Sequence, residues 1–109
     1  MTVGELTKKL DLEAINLVDS DREIVGAFTG DLLSFAMCNL KRDNVWITIM
    51  TNTNIVAVAS LANVACIIIT ESSELPAETI ESARIHNVNI LKTKRSSFEM
   101  CSLLSNLGI

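Results

Sequence analysis

One histidine, His86, and three cysteines, Cys38, Cys66 and Cys101, are the residues of this 109-residue chain best suited to nucleophilic, acid–base or metal chemistry. Their spacing supports none of these. No Cys/His cluster has zinc-ligand spacing, and a lone histidine leaves no second imidazole to complete a metal site. A Ser- or Cys-based triad would need His86 beside its nucleophile. The helical pattern instead places His86 at the carboxyl end of a helix, where the helix dipole favours an imidazolium. The phosphate-cradling GxxxxGK[ST] loop is absent, and Gly26 and Gly30 are a lone pair whose simplest role is a tight strand-to-helix turn. Asp19 and Asp21 fall in a turn, as solvated carboxylates. The expectation is a protein that is not an enzyme and has no metal or cofactor.

Binding chemistry has more support. Four polar loops are expected to follow strands: Thr29-Gly30-Asp31, Thr51-Asn52-Thr53-Asn54, Thr70-Glu71-Ser72-Ser73 and Thr93-Lys94-Arg95-Ser96-Ser97. In an open α/β sheet such loops gather at the carboxyl edge, where ligands usually bind. Helix N-termini there present free N–H groups and a partial positive charge. Lys94 and Arg95 add a basic pair, so a nucleotide or other small anionic ligand is the class these loops suit. The candidate binding residues are Thr29, Gly30, Asp31, Thr51, Asn52, Asn54, Thr93, Lys94 and Ser96. The same residue types also serve as N-caps whether or not a ligand binds.

The elements that must position these loops follow from periodicity. Thr2 and Glu5 have capping-box spacing and open a helix to about Leu10. Residues 13–18 and 22–28 read as short strands joined by a turn at 19–21. Leu32, Leu33, Ala36, Met37 and Leu40 form one helical stripe over 31–40. Val45–Met50 is rich in β-formers, and Ala65–Thr70 is a continuous apolar run of the kind buried on both faces. Pro76 suits the first turn of a helix to about His86, with Glu74, Glu78 and Glu81 on its solvated face. Val88–Leu91 is a last strand. Ser96 and Glu99 have capping-box spacing before a helix lined by Met100, Leu103, Leu104 and Leu107, with Gly108 as its C-cap.

Strands alternating with helices predict a single α/β domain over 1–109, its sheet mainly parallel and flanked by helices. A mixed sheet results if the two early strands pair differently. The helix after Met50 is apolar nearly all round, with Ile55, Val58, Ala59 and Ala62 on one face and Val56, Ala57 and Leu61 over much of the rest. Such a helix must be covered on more than one side. Two covers satisfy this: a subunit interface, which Phe35 would join, or a central position in the core.

Composition sets the limits. With 49% hydrophobic residues, one Pro and four Gly, the chain can bury a core and is not disordered. Thirteen acidic against nine basic residues give a net charge of −4, which argues against a nucleic-acid surface. The odd, widely spaced cysteines read as reduced thiols rather than a disulfide framework. No basic n-region with an apolar h-region opens the sequence. The most apolar run, Ile55 to Ile69, is interrupted by Ser60 and Asn63 and falls short of the ~20 residues of a membrane span. A cytoplasmic protein without membrane contact is expected.

Asp21-Arg22-Glu23-Ile24-Val25-Gly26-Ala27, followed closely by Gly30-Asp31-Leu32-Leu33-Ser34, resembles the signature of DRTGG domains. Trp46-Ile-Thr-Ile, Asn54-Ile-Val-Ala-Val-Ala and Thr93-Lys-Arg-Ser-Ser-Phe fit the same layout, so the resemblance covers essentially the whole chain as a free-standing copy of the domain. The sequence departs from the name-giving pattern at Glu23, at the inserted Ile24-Val25, and at Ala27, where a second glycine would stand. The resemblance implies an α/β fold similar to the N-terminal, non-catalytic domain of HPr kinase/phosphorylase. It implies a regulatory or protein-interaction module, homodimeric, of the kind that accompanies CBS domains in regulated pyrophosphatases and phosphotransacetylase domains in acetate metabolism. Small members near iron-only hydrogenase genes suggest redox regulation. A sensor of a nucleotide or other anionic metabolite is the alternative.

Overall fold

Val45–Thr48 (β3) and Cys66–Ile69 (β4) are buried along their whole length, which requires a layer on each side of them. The computed structural model describes all 109 residues and supplies both layers. Three further strands, Glu13–Asn16 (β1), Ala27–Thr29 (β2) and Ile90–Lys92 (β5), complete a sheet of order β1-β5-β4-β3-β2. The strands β2 to β5 are mutually parallel, and β1 runs antiparallel beside β5, with Glu13 opposite Lys92. The sheet is therefore mixed.

Alternation along the central strands splits the core in two. Val45, Ile47, Cys66, Ile68 and Leu91 face a layer made by Val3–Lys9 (α1) and Ser97–Asn106 (α5), whose Val3, Leu6, Met100 and Leu104 are buried against them. Trp46, Ile67, Ile69 and Ile90 face Leu33–Asn39 (α2), Asn54–Ala62 (α3) and Ala77–His86 (α4). The steps from β2 to β3, β4 and β5 all move the same way across the sheet. Crossovers of one hand then place α2, α3 and α4 on one face. The helix after β5 goes to the other face.

Local signals explain most boundaries. The capping box of α1 is complete: Thr2 Oγ1 accepts from the Glu5 N–H at 3.1 Å, and the Thr2 N–H donates to Glu5 Oε1 at 3.0 Å. These bonds hold the Glu5 carboxyl below its ordinary value. At α5 only half a box forms. Ser96 Oγ accepts from the Glu99 N–H, while the Glu99 carboxylate turns to Arg95. Pro76 is the N-cap of α4, which leaves Glu74 in the loop before the helix. The expected strand over 22–28 is only Ala27–Thr29. Gly26 stands at φ +81°, which breaks the extended run, and Glu23 makes only an isolated bridge to Thr2. The stripe read on α2 is narrower than expected, since Leu32 and Met37 face solvent and Ala36 and Leu40 face the core.

The core cover applies to α3. Ile55, Val56, Val58 and Ala59 are buried within their own chain, between the sheet and the neighbouring helices, and Ala62 packs at the margin of the same cluster. The interface read through Ile55, Val58, Ala59 and Ala62 is thus corrected. A helix in the middle of a three-helix layer is covered on both flanks by that layer, which accounts for the burial of these residues, while Ala57 and Leu61 on its outer side are exposed. Phe35 is not part of that face; it is exposed on α2 and stacks on Phe28 with ring centroids 6.0 Å apart.

Candidate functional site

At the amino edge of the sheet, the signature residues are committed to structure. Asp43 and Asn63, just before β3 and β4, adopt left-handed backbone, at φ 64° and 58°. Arg22 clamps both: its Nε donates to Asp43 Oδ1 at 2.6 Å, and its Nη2 donates to the Asn63 carbonyl at 2.6 Å and to Asn63 Oδ1 at 2.9 Å. Asn44 Nδ2 donates to the Val25 carbonyl. A Cβ on Gly26 would lie 3.1 Å from that amide nitrogen. Asn89 is buried and accepts from the Val18 and Asp19 N–H groups while donating to the Asp19 and Ala65 carbonyls. His86 lies at this end too, exposed, its Nδ1 2.9 Å from the Ser82 carbonyl.

The carboxyl edge is different, and the reason is topological. After β4 the chain turns to α4 on one face; after β5 it turns to α5 on the other. Neighbouring strands whose connections diverge leave a crevice above their carboxyl ends. The crevice here is a groove of about 640 Å³, lined by Asp11, Glu13, Ser72, Glu74, Lys92, Thr93, Lys94 and Arg95, with no hydrophobic side chain among them. Lys92 Nζ pairs with Glu74 Oε1 at 3.3 Å. Arg95 donates from Nη1 to the Leu10 carbonyl at 2.6 Å and faces Glu99 at 3.6 Å. Lys94 is exposed, with its ammonium outside these pairs. The floor is fixed by Glu71 and Ser72, both at positive φ, whose N–H groups donate to the Arg95 and Thr93 carbonyls.

The nine expected binding residues fall into two groups. Thr93 and Lys94 line the groove, and Ser96 caps α5 beside it. Thr29, Gly30, Asp31, Thr51, Asn52 and Asn54 belong to the β2 and β3 loops. The sheet order sets β2 three strand spacings from β5, about 14 Å. Several of these residues have structural duties. Asp31 Oδ1 accepts from Thr48 Oγ1 at 2.7 Å and from the Ile49 N–H at 2.9 Å. Asn52 Oδ1 accepts from the Asn54 N–H, and the Thr51 carbonyl accepts from Thr79 Oγ1. Asp11, Glu13, Glu74 and Lys92 are groove residues that sequence reasoning missed. The pairing of β1 with β5, which brings Asp11 and Glu13 to the groove, leaves no local mark in the sequence.

Fold and groove together define an α/β domain in which Arg22 of the signature stabilises the loops at one edge while a polar cleft opens at the other. The DRTGG domain family matches residues 5–107, and the chain belongs to that family. DRTGG domains are regulatory modules. Among solved structures, the chain is similar to the CBS and DRTGG domains of the regulatory region of Clostridium perfringens pyrophosphatase, complexed with its activator, diadenosine tetraphosphate. The TM-score is 0.72 at 17% identity, covering 94% of this chain and 45% of that one. The likeness is one of fold, and the chain spans under half the length of that relative. No curated protein matches. No helix is long and apolar enough to cross a membrane.

Proposed function

We propose that this chain is a non-enzymatic regulatory module, homodimeric and cytoplasmic, that binds a nucleotide or similar phosphate-bearing metabolite in the β4–β5 groove and signals its occupancy to a protein partner. The observation that carries the reading is the divergence of α4 and α5, which opens the groove beside Lys94 and Arg95. A phosphate suits that cationic wall. Asp11 and Glu13, on the β1 side, can only accept hydrogen bonds when ionised, which suits ribose hydroxyls or a base amino group. The pyrophosphatase regulatory region complexed with diadenosine tetraphosphate makes adenine nucleotides the first class to test. The absence of an enzymatic role is supported by His86 lying at the opposite edge and by burial that pushes the Cys66 thiol up to about 12.

The test is thermal unfolding with ATP, diadenosine tetraphosphate, acetyl phosphate or inorganic phosphate. A ligand at about 100 times its Kd adds about 2.7 kcal/mol, which raises Tm by roughly 10–20 °C in a domain of this size. Lys94→Glu should abolish that rise while leaving the unliganded Tm nearly unchanged. A rise of the same size in Lys94→Glu would place the ligand elsewhere. No rise with any of the four would remove the sensor reading and leave a protein-interaction module.

A further inference from the structure

We infer that β2 is a pairing edge, at which a second copy of this chain adds its own β2 antiparallel about a two-fold axis at Phe28. The inference rests on the homodimer proposed above and says where it forms. The Gly26 carbonyl and the Gly30 N–H are bonded to β3, so strand alternation turns the N–H and C=O groups of Ala27 and Thr29 outward. Both residues are exposed. With Phe28 on the axis, Ala27 of one copy lies opposite Thr29 of the other, twice. Each pair exchanges two N–H···O=C bonds, so the two three-residue edges together satisfy four donors and four acceptors.

The surroundings favour a second copy over an unrelated strand. Val25 to Gly30 contains no charged residue and no proline, the usual devices that blunt an edge. The other edge, β1, is blunted by Glu13 and by an irregular register between Ala14 and Asn16. Beside β2, Val25, Leu32 and Phe35 are 65%, 65% and 57% exposed, and Phe35 stacks on Phe28. Three such side chains offer on the order of 100 Å² each. With the strand and Phe28 this makes about 500 Å² per copy, the small end of specific interfaces, so the dimer should be reversible with concentration. The antiparallel register also sets Lys41, which lies beside Val25 and Gly26, near the Asp31 end of the other copy, a favourable charge arrangement.

The deciding experiment is sedimentation equilibrium over a concentration series, comparing the wild type with Thr29→Pro. Proline at this outward position removes two of the four intermolecular bonds and no intramolecular one. The wild type should approach twice the 11.9 kDa chain mass as concentration rises, and Thr29→Pro should remain a folded monomer by circular dichroism. A wild type that stays monomeric overturns the homodimer and the edge together. A folded Thr29→Pro that dimerises as well as the wild type overturns the edge alone. Should Thr29→Pro unfold, amide exchange of the wild type decides: the Ala27 and Thr29 amides should become protected on concentration, and unchanged exchange would refute the pairing.

Discussion

The two ends of the parallel strands use polar residues in opposite ways. At the amino edge, Arg22 bonds the Asp43 and Asn63 side chains and the Asn63 carbonyl, and Asn44 and Asn89 bond neighbouring backbone, fixing the left-handed turns before β3 and β4 and the path from β1 to β2. At the carboxyl edge, the connections after β4 and β5 diverge and leave charged side chains lining open space. The Asp21–Ala27 segment of the family signature therefore belongs to the first end, whereas Thr93, Lys94 and Arg95, which fit the same family layout, line the groove at the second. One part of a signature can mark how a chain folds while another lies where it binds.

Substitutions at the two ends should separate on this basis. The largest effect is expected from Arg22→Ala, which removes three short charge-assisted bonds and leaves the Asp43 carboxylate without its closest cation. A loss of about 2–3 kcal/mol follows, read as a Tm lower by roughly 10–20 °C with ligand affinity of the folded fraction unchanged. Next is Gly26→Ala, which places a Cβ at positive φ and 3.1 Å from Asn44 Nδ2. It should cost about 1–2 kcal/mol in urea unfolding. Loss of nucleotide affinity in either variant, with the fold intact, would break the comparison.

The centre of the sheet gives a pH test. Burial raises the Cys66 thiol to about 12 from an ordinary value of 9.0. A raised thiol stabilises the fold fully below pH 9, and that contribution declines as pH climbs from 9 to about 12. Wild-type stability should therefore fall more steeply over that window than in Cys66→Ala, and parallel profiles would contradict the burial. The smallest effect on stability belongs to Lys94→Glu. It should unfold within about 0.5 kcal/mol of the wild type, as expected for an exposed side chain away from packing and caps.

How much of this was legible beforehand differs between the same regions. The apolar run Ala65–Thr70 and the alternation of strand and helix signals led directly to a helix-flanked α/β sheet, because burial on two faces writes itself into consecutive residues. Thr2 and Glu5 located α1 because a capping box is local. The strand expected over 22–28 shrank to three residues, since Gly26 in left-handed backbone is invisible to β-propensity. The apolar circumference of α3 was legible, but its cover was not: periodicity cannot tell a neighbouring helix from a neighbouring subunit. Lys94 and Thr93 were found through their loop, whereas Asp11 and Glu13 join the groove only through an antiparallel pairing some eighty residues away in sequence, to Leu91 and Lys92.

The most direct test of the division between the two edges is a residue-resolved amide NMR titration of the wild type with ATP. The account predicts that perturbed amides concentrate at residues 70–74 and 92–96, with those of Arg22, Gly26 and Asn44 unmoved. Perturbations centred on the Arg22–Gly26 segment, or on the loops at 29–31 and 51–54, would contradict it.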